Sequence, residues 1–212
     1  EGYKGEGTQS SGAVRCVYIT AGALTGFTLT NGFTQGVSPD NGGGALAPGG
    51  TLNNCVLTGN RASYIGGGAY SGTLNGCVLT GNSAGLGGGT GDSTMNNCTI
   101  SGNSATNSGG GVYQSTLNNC VLSDNVSYGI LVQAQGGGGA YESALNNCLV
   151  TRNSAPADLG FLGGGGGGTY GGTLNNCTLA GNSAHMAGGG MYGGTSYNCI
   201  VYYNEPENYS GG

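Results

Sequence analysis

The sequence predicts an all-β solenoid, a parallel β-helix of about eight coils, on three observations. A ten-residue unit recurs as TLNNCVLTGN (51–60), TLNGCVLTGN (73–82), TMNNCTISGN (94–103), TLNNCVLSDN (116–125), ALNNCLVTRN (144–153), TLNNCTLAGN (173–182) and a worn TSYNCIVYYN (195–204). Seven cysteines hold one place in it, Cys55, Cys77, Cys98, Cys120, Cys148, Cys177 and Cys199, at intervals of 22, 21, 22, 28, 29 and 22 residues. Most copies follow a run of three glycines, and Gly makes up 51 of the 212 residues. A unit of 21–22 residues is too short for a helix pair and suits short strands with tight turns.

Composition removes the competing classes. The glycines do not fall at every third position, which excludes collagen. Disorder goes with few apolar residues and high charge, whereas 36% of this chain is apolar, regularly placed, and 6% is charged. Net charge is −5 with four basic residues, Lys4, Arg15, Arg61 and Arg152, so no basic stripe is available for nucleic acid. No apolar run has the length of a membrane span, and no membrane insertion is expected. The chain begins Glu1-Gly2 without Met, and is read as a mature or excised piece of a secreted precursor.

Taken in order, residues 1–12 match no repeat and form an N-terminal arm or cap, residues 13–204 form the helix domain, and residues 205–212 are a tail. Residues 14–19 (VRCVYI) read as the first strand. Residues 26–31 (GFTLTN) align with the repeat, with Phe27 in the cysteine place. In each full unit three strands are expected, for example GGAY, TLN and CVLTGN around Cys77. Alternation then points Cys77 and Leu79 inward and Val78 and Thr80 outward. One cysteine per coil is a packing choice rather than a pairing scheme, so buried free thiols are expected, with Cys16 a first-coil core residue. Stacked coils also predict a column of Leu57, Leu79, Ile100, Leu122, Val150 and Leu179, and an asparagine column of Asn60, Asn82, Asn103, Asn125, Asn153 and Asn182. Eight coils make a rod of roughly 35–40 Å.

The motifs Gly43-Gly44-Ala45-Leu46, Gly67-Gly68-Ala69-Tyr70 and Gly138-Gly139-Ala140-Tyr141, with Leu57-x-x-Asn60-x-Ala62 and Leu179-x-x-Asn182-x-Ala184, resemble the repeats of polymorphic outer-membrane autotransporter proteins. More broadly they resemble bacterial extracellular right-handed parallel β-helix repeat proteins. The resemblance spans about residues 13–204 and implies a right-handed β-helix in an exposed, extracellular place. Leu or Ile stands where Phe is usual, the Asn-Asn-Cys triplet is particular to this chain, and no autotransporter barrel is present.

The longer intervals put extra residues near 33–41, 128–135 and 156–163, all expected at one corner, where such folds often bind. His185 is the single histidine and reads as a surface turn residue, so no triad or zinc site can be assembled and no cofactor is expected. Asp124 and Arg152 share a place on neighbouring coils and should pair, while the other acids, Glu1, Glu6, Asp40, Asp92, Glu142, Asp158, Glu205 and Glu207, are expected at scattered places, which leaves no calcium site.

Tyr70, Tyr113, Tyr141, Tyr170 and Tyr192 each stand seven residues before a cysteine, with Gly91 breaking the series. They are expected to face outward and either bind sugar rings or a partner, or shield the sheet. Sequons stand at Asn97, Asn125, Asn176 and Asn208; Asn208 is expected to be the most accessible, and Asn97 and Asn176 sterically closed. No amphipathic helix caps either end, so the ends are expected either to dock, head to tail, on further copies or to be capped by residues 1–12 and 205–212. The sequence thus points to a non-enzymatic extracellular structural or adhesive solenoid that self-associates end to end. The alternative is a β-helix that binds surface glycans or degrades polysaccharide through the tyrosines and corner loops. Ice binding is weaker, because Ser101, Ser123 and Ala180 interrupt the Thr58, Thr80, Thr151 series.

Overall fold

A computed structural model describes residues 13–36, 40–129, 136–156 and 165–211. The described residues form short parallel strands stacked into four walls, with no helix among them. The first wall holds strands such as Ala69–Tyr70 and Thr90–Gly91, the second Thr73–Asn75, the third Val78–Thr80 and the fourth Ser83–Leu86. Each strand pairs in register with its counterpart one coil away: Leu74 lies between Leu52 and Met95, and Leu79 between Leu57 and Ile100. The repeat is therefore a ladder of like on like.

Three strands per coil is one too few. The run CVLTGN is not one strand, because Gly81 takes a positive φ of 63° after Val78–Thr80 and turns the chain into the fourth wall. Most fourth-wall strands are two residues long, such as Ser154–Ala155 and Ser183–Ala184, too short to show an apolar alternation. The middle glycine of each triplet lies against this wall: a Cβ on Gly67 would meet the Ser83 carbonyl oxygen at 2.4 Å. The following glycine, Gly68, leaves space for the Asn82 amide, which a Cβ there would meet at 3.1 Å.

The core is enclosed by the first three walls. Leu52, Leu74, Met95, Leu117, Leu145 and Leu174 come from the second, and Leu57, Leu79, Ile100, Leu122, Val150 and Leu179 from the third, all fully buried. Cys77 and Leu79 point in, and Val78 and Thr80 point out, as alternation requires. Phe27 does align with Cys55, but as a member of the first coil it is 55% exposed.

Three corners share one device. Where the chain turns, a backbone N–H leaves the strand pairing and needs another acceptor. The Cys77 N–H is accepted by the Cys98 thiol at 3.3 Å, the Ser93 N–H by the Ser115 hydroxyl at 3.2 Å and the Asn82 N–H by the Asn103 amide oxygen at 3.0 Å. The cysteines are free thiols, and they are acceptors as well as small apolar fillers. Cys98 and Cys148 are held protonated, each by hydrogen bonds to the thiols on either side and then by burial.

The asparagine column forms a one-way chain. Each inner amide donates to the amide oxygen of the next coil, from Asn60 to Asn204, at 2.9–3.0 Å. Its nitrogen also donates to a carbonyl of the preceding coil, as Asn125 does to Ile100 at 2.9 Å. A second column runs outside on the second wall in the opposite sense, Asn75 donating to Asn53, Asn96 to Asn75, Asn118 to Asn96, Asn146 to Asn118 and Asn175 to Asn146.

Residues outside the repeat finish the inner column. In the first coil its place is held by Gly32, whose N–H donates to Asn60 Oδ1 at 2.8 Å. The Cys16 thiol fills the space, 3.4 Å from the Thr30 carbonyl and 3.6 Å from Asn60 Oδ1. At the other end Asn204 gives its N–H and its amide to Asn208 Oδ1 at 3.1 and 3.0 Å. Arg15 is buried beside the first coil, donating to the carbonyls of Gly42 at 2.9 Å and Asn41 at 2.8 Å.

Candidate functional site

The tyrosines share one outward column of the first wall. In order it reads Tyr18, Leu46, Tyr70, Gly91, Tyr113, Tyr141, Tyr170, Tyr192 and Ser210. Their wall partners Ala69, Val112, Ala140 and Met191 are buried, so the phenols lean outward over small and aliphatic residues. Four rings form one continuous stack: Tyr113 on Tyr141 at 5.3 Å, Tyr141 on Tyr170 at 5.4 Å and Tyr170 on Tyr192 at 5.0 Å, with planes within 16°. Tyr70 is cut off by Gly91. The gap is filled: a Cβ on Gly91 would lie 2.2 Å from a methyl of Ile65, which folds over it from the fourth-wall side.

The scattered acids are a correction. Asp92, Gln114 and Glu142 occupy one column, because Gly91 pairs with Tyr113 and Tyr113 with Tyr141. All three take positive φ at the corner after the tyrosine wall, and Gln114 Nε2 donates to Glu142 Oε2 at 3.1 Å. The signal was present, since each stands six residues before a cysteine. Burial first, and then the Glu142 carboxylate, push the Tyr141 phenol up to about 12. Burial and Asp92 raise Tyr70 in the same way. The result is a stripe of neutral phenol edges along an acidic corner. Ring faces inside the stack are turned to one another, so what reaches solvent is hydroxyl and edge.

The remaining sequence expectations fall as follows. Asp124 and Arg152 form a two-pronged surface pair at 2.8 and 2.9 Å, which holds the Asp124 carboxyl below its usual range. His185 is an exposed residue after the strand Ser183–Ala184. Among the described residues, no three His, Cys, Asp or Glu side chains gather around a possible metal position. The sequons divide. Asn125 is fully buried and its nitrogen donates twice, so the folded chain has no room for a glycan there. Asn97 and Asn176 are exposed at a corner rather than closed. Asn208 is exposed, with its oxygen engaged by Asn204. The long intervals do share a corner, between the fourth and first walls, and the centres of those loops lie outside the described residues, as do residues 1–12.

The two ends differ from the middle. Among the described residues, neither the second nor the third wall has a charged residue in any strand, and no further strand pairs with either end of them. At one end these are Gly22–Thr25 and Thr28–Thr30, with Phe27 between them; at the other, Thr195–Tyr197 and Ile200–Tyr202. The last coil puts Tyr197 where earlier coils carry Asn or Thr, Ile200 where they carry Val, Leu or Thr, and Tyr202 where they carry Thr, Ser or Ala, and all three are exposed. Tyr203 takes a positive φ of 52° at a place usually held by Gly and is 84% exposed. A bulky residue held in that region is strained.

The family model described as a right handed beta helix region matches residues 15–184. No curated protein and no solved structure matches the chain.

Proposed function

We propose that this chain, which belongs to the right-handed β-helix family, is a non-enzymatic extracellular rod that associates end to end and presents its walls as a structural or adhesive surface. One observation carries the reading: among the described residues the same two uncharged walls are open at both ends, and the last coil puts exposed Tyr197 and Tyr202 where the repeat carries Asn and Thr, Ser or Ala. An open parallel edge is a template for another strand, and exposed aromatic side chains are the residues that favour interfaces. The strained, solvent-facing Tyr203 adds to this, since local rules tend to be broken where a residue serves a partner. The resemblance of the Gly-Gly-Ala and Leu-x-x-Asn motifs to autotransporter repeats favours a cell-surface setting.

The tyrosine column weighs toward a structural wall rather than a sugar platform. A sugar ring stacks on an aromatic face, and here the faces between Tyr113 and Tyr192 cover one another. Surface glycans would then meet phenol edges, Gln114 and Glu142, and a glycan array with a Glu142→Gln control tests that contact. The rod reading is tested by negative-stain microscopy over a concentration series. Particles of uniform width and several chain lengths are expected once the segment after Asn204 is removed. Single short particles at every concentration, for the intact chain and for one shortened after Asn204 alike, would remove end-to-end association.

A further inference from the structure

We infer that residues 205–210 are a plug that competes with the head of a second copy of this chain for the open end of the rod; this rests on the end-to-end reading above. The strand Val17–Tyr18 opens the first wall and Tyr209–Ser210 closes it, so Val17 and Tyr209 stand in one column, and Tyr18 and Ser210 in the next. The residues before them are equivalent too. Val17 N–H donates to Gly44 as Ala45 N–H does to Gly68 and Met191 N–H to Asn208, which places Cys16 and Asn208 in the column of the third glycine. Both side chains then do the same thing: each enters the inner asparagine column where the repeat supplies no amide.

The fourth wall repeats the pattern. Phe33 N–H donates to Val14 as Arg61 does to Gly32 and Glu205 to Asn182, so Val14 stands in the column of Asn204 and Arg15 in that of Glu205. Glu205 in turn pairs with Ser183 and closes that wall. The tail thus adds one level to the first and fourth walls, which brings the first wall to nine strands while the second and third have eight.

A second copy can bring Gly22–Thr25 onto Thr195–Tyr197, and Thr28–Thr30 onto Ile200–Tyr202, only by setting its residues 15–18 where residues 205–210 now lie. With the tail in place the two end faces are held apart by about one strand spacing, ~4.8 Å. With the tail released all four walls continue, and Val17–Tyr18 of the second copy takes the place on Met191–Tyr192 that Tyr209–Ser210 now holds. The two occupants are not equal. Cys16 cannot supply the amide oxygen that Asn208 offers to Asn204, so the tail holds the end until it is displaced. Growth is therefore head to tail, in one direction, and gated by the C-terminal segment.

The test is weight-average mass by light scattering across a concentration series, with circular dichroism to verify folding. The chains are the intact protein, one ending at Asn204, and a Tyr192→Cys/Ser210→Cys chain, whose new cysteines are in-register neighbours and can tie the tail down. The shortened chain is expected to rise several-fold in mass while the intact chain stays near monomer. The tied chain stays monomeric when oxidised and behaves as the intact chain when reduced. If the shortened chain does not fold, Tyr209→Pro, which removes a strand N–H, loosens the tail in place and takes over the test. Intact and tied chains that polymerise as readily as the shortened one would overturn the plug and leave end-to-end association standing. A folded, tail-free chain that never assembles would overturn both.

Discussion

The inner and outer asparagine columns use the same side chain at the same spacing, and differ in almost everything else. The inner amides are buried, each nitrogen donates to both neighbouring coils, and each oxygen takes a backbone N–H as well as an amide. The outer amides are partly exposed and make one bond per step, in the opposite direction. Water can replace an outer partner and cannot reach an inner one. Burial, rather than the identity of the residue, decides how much a ladder contributes.

Substitution in neighbouring columns separates the two most sharply. Asn125→Ala takes the acceptor from the Asn103 N–H and one of the acceptors from its amide in a dry site, and should cost about 3 kcal/mol. Asn118→Ala should cost under about 1 kcal/mol. Urea unfolding of both variants measures the difference, and equal losses would break the comparison. Cys120→Ala lies between them. It removes a weak acceptor from the Cys98 N–H and leaves a small cavity, for about 1–2 kcal/mol, read from the same unfolding curves.

Thr169 carries the comparison to its opposite sign. Its hydroxyl is buried without a partner, because Gly172 stands where Ser93 bonds Thr90 in an earlier coil. Thr169→Val should therefore stabilise by about 1 kcal/mol, seen as a raised melting temperature. Asp124→Asn should change stability by no more than about 0.5 kcal/mol, since both partners of that pair are largely in water. A larger loss, measured by thermal unfolding at low and high salt, would show that surface contacts matter more than burial here.

Much of this was legible in the repeat itself. Residue spacing relative to the cysteines places the core columns, the inner asparagines, the tyrosine stripe and the break at Gly91. The fourth wall was not legible, because most of its strands are two residues long and carry no alternation, and their burial comes from the glycine run beside them. The Asp92, Gln114, Glu142 column was hidden by its mixed chemistry, although its spacing was regular. Cys16 and Asn208 were opaque for a different reason. Each works only through a neighbour distant in sequence, Cys16 beside Asn60 and Asn208 equivalent to a glycine column, and no local pattern marks either.

The one-way inner chain also bears on how such a molecule can change over generations. Every coil hands its neighbour the same acceptor and receives the same donor, so whole coils are interchangeable parts. Slippage in the gene that duplicates or drops one complete repeat would rejoin Asn to Asn and Leu to Leu with no mismatch. The two terminators have no such freedom, because each is a single fitted piece. Lineages carrying this scaffold should therefore vary readily in length while keeping their two ends unchanged.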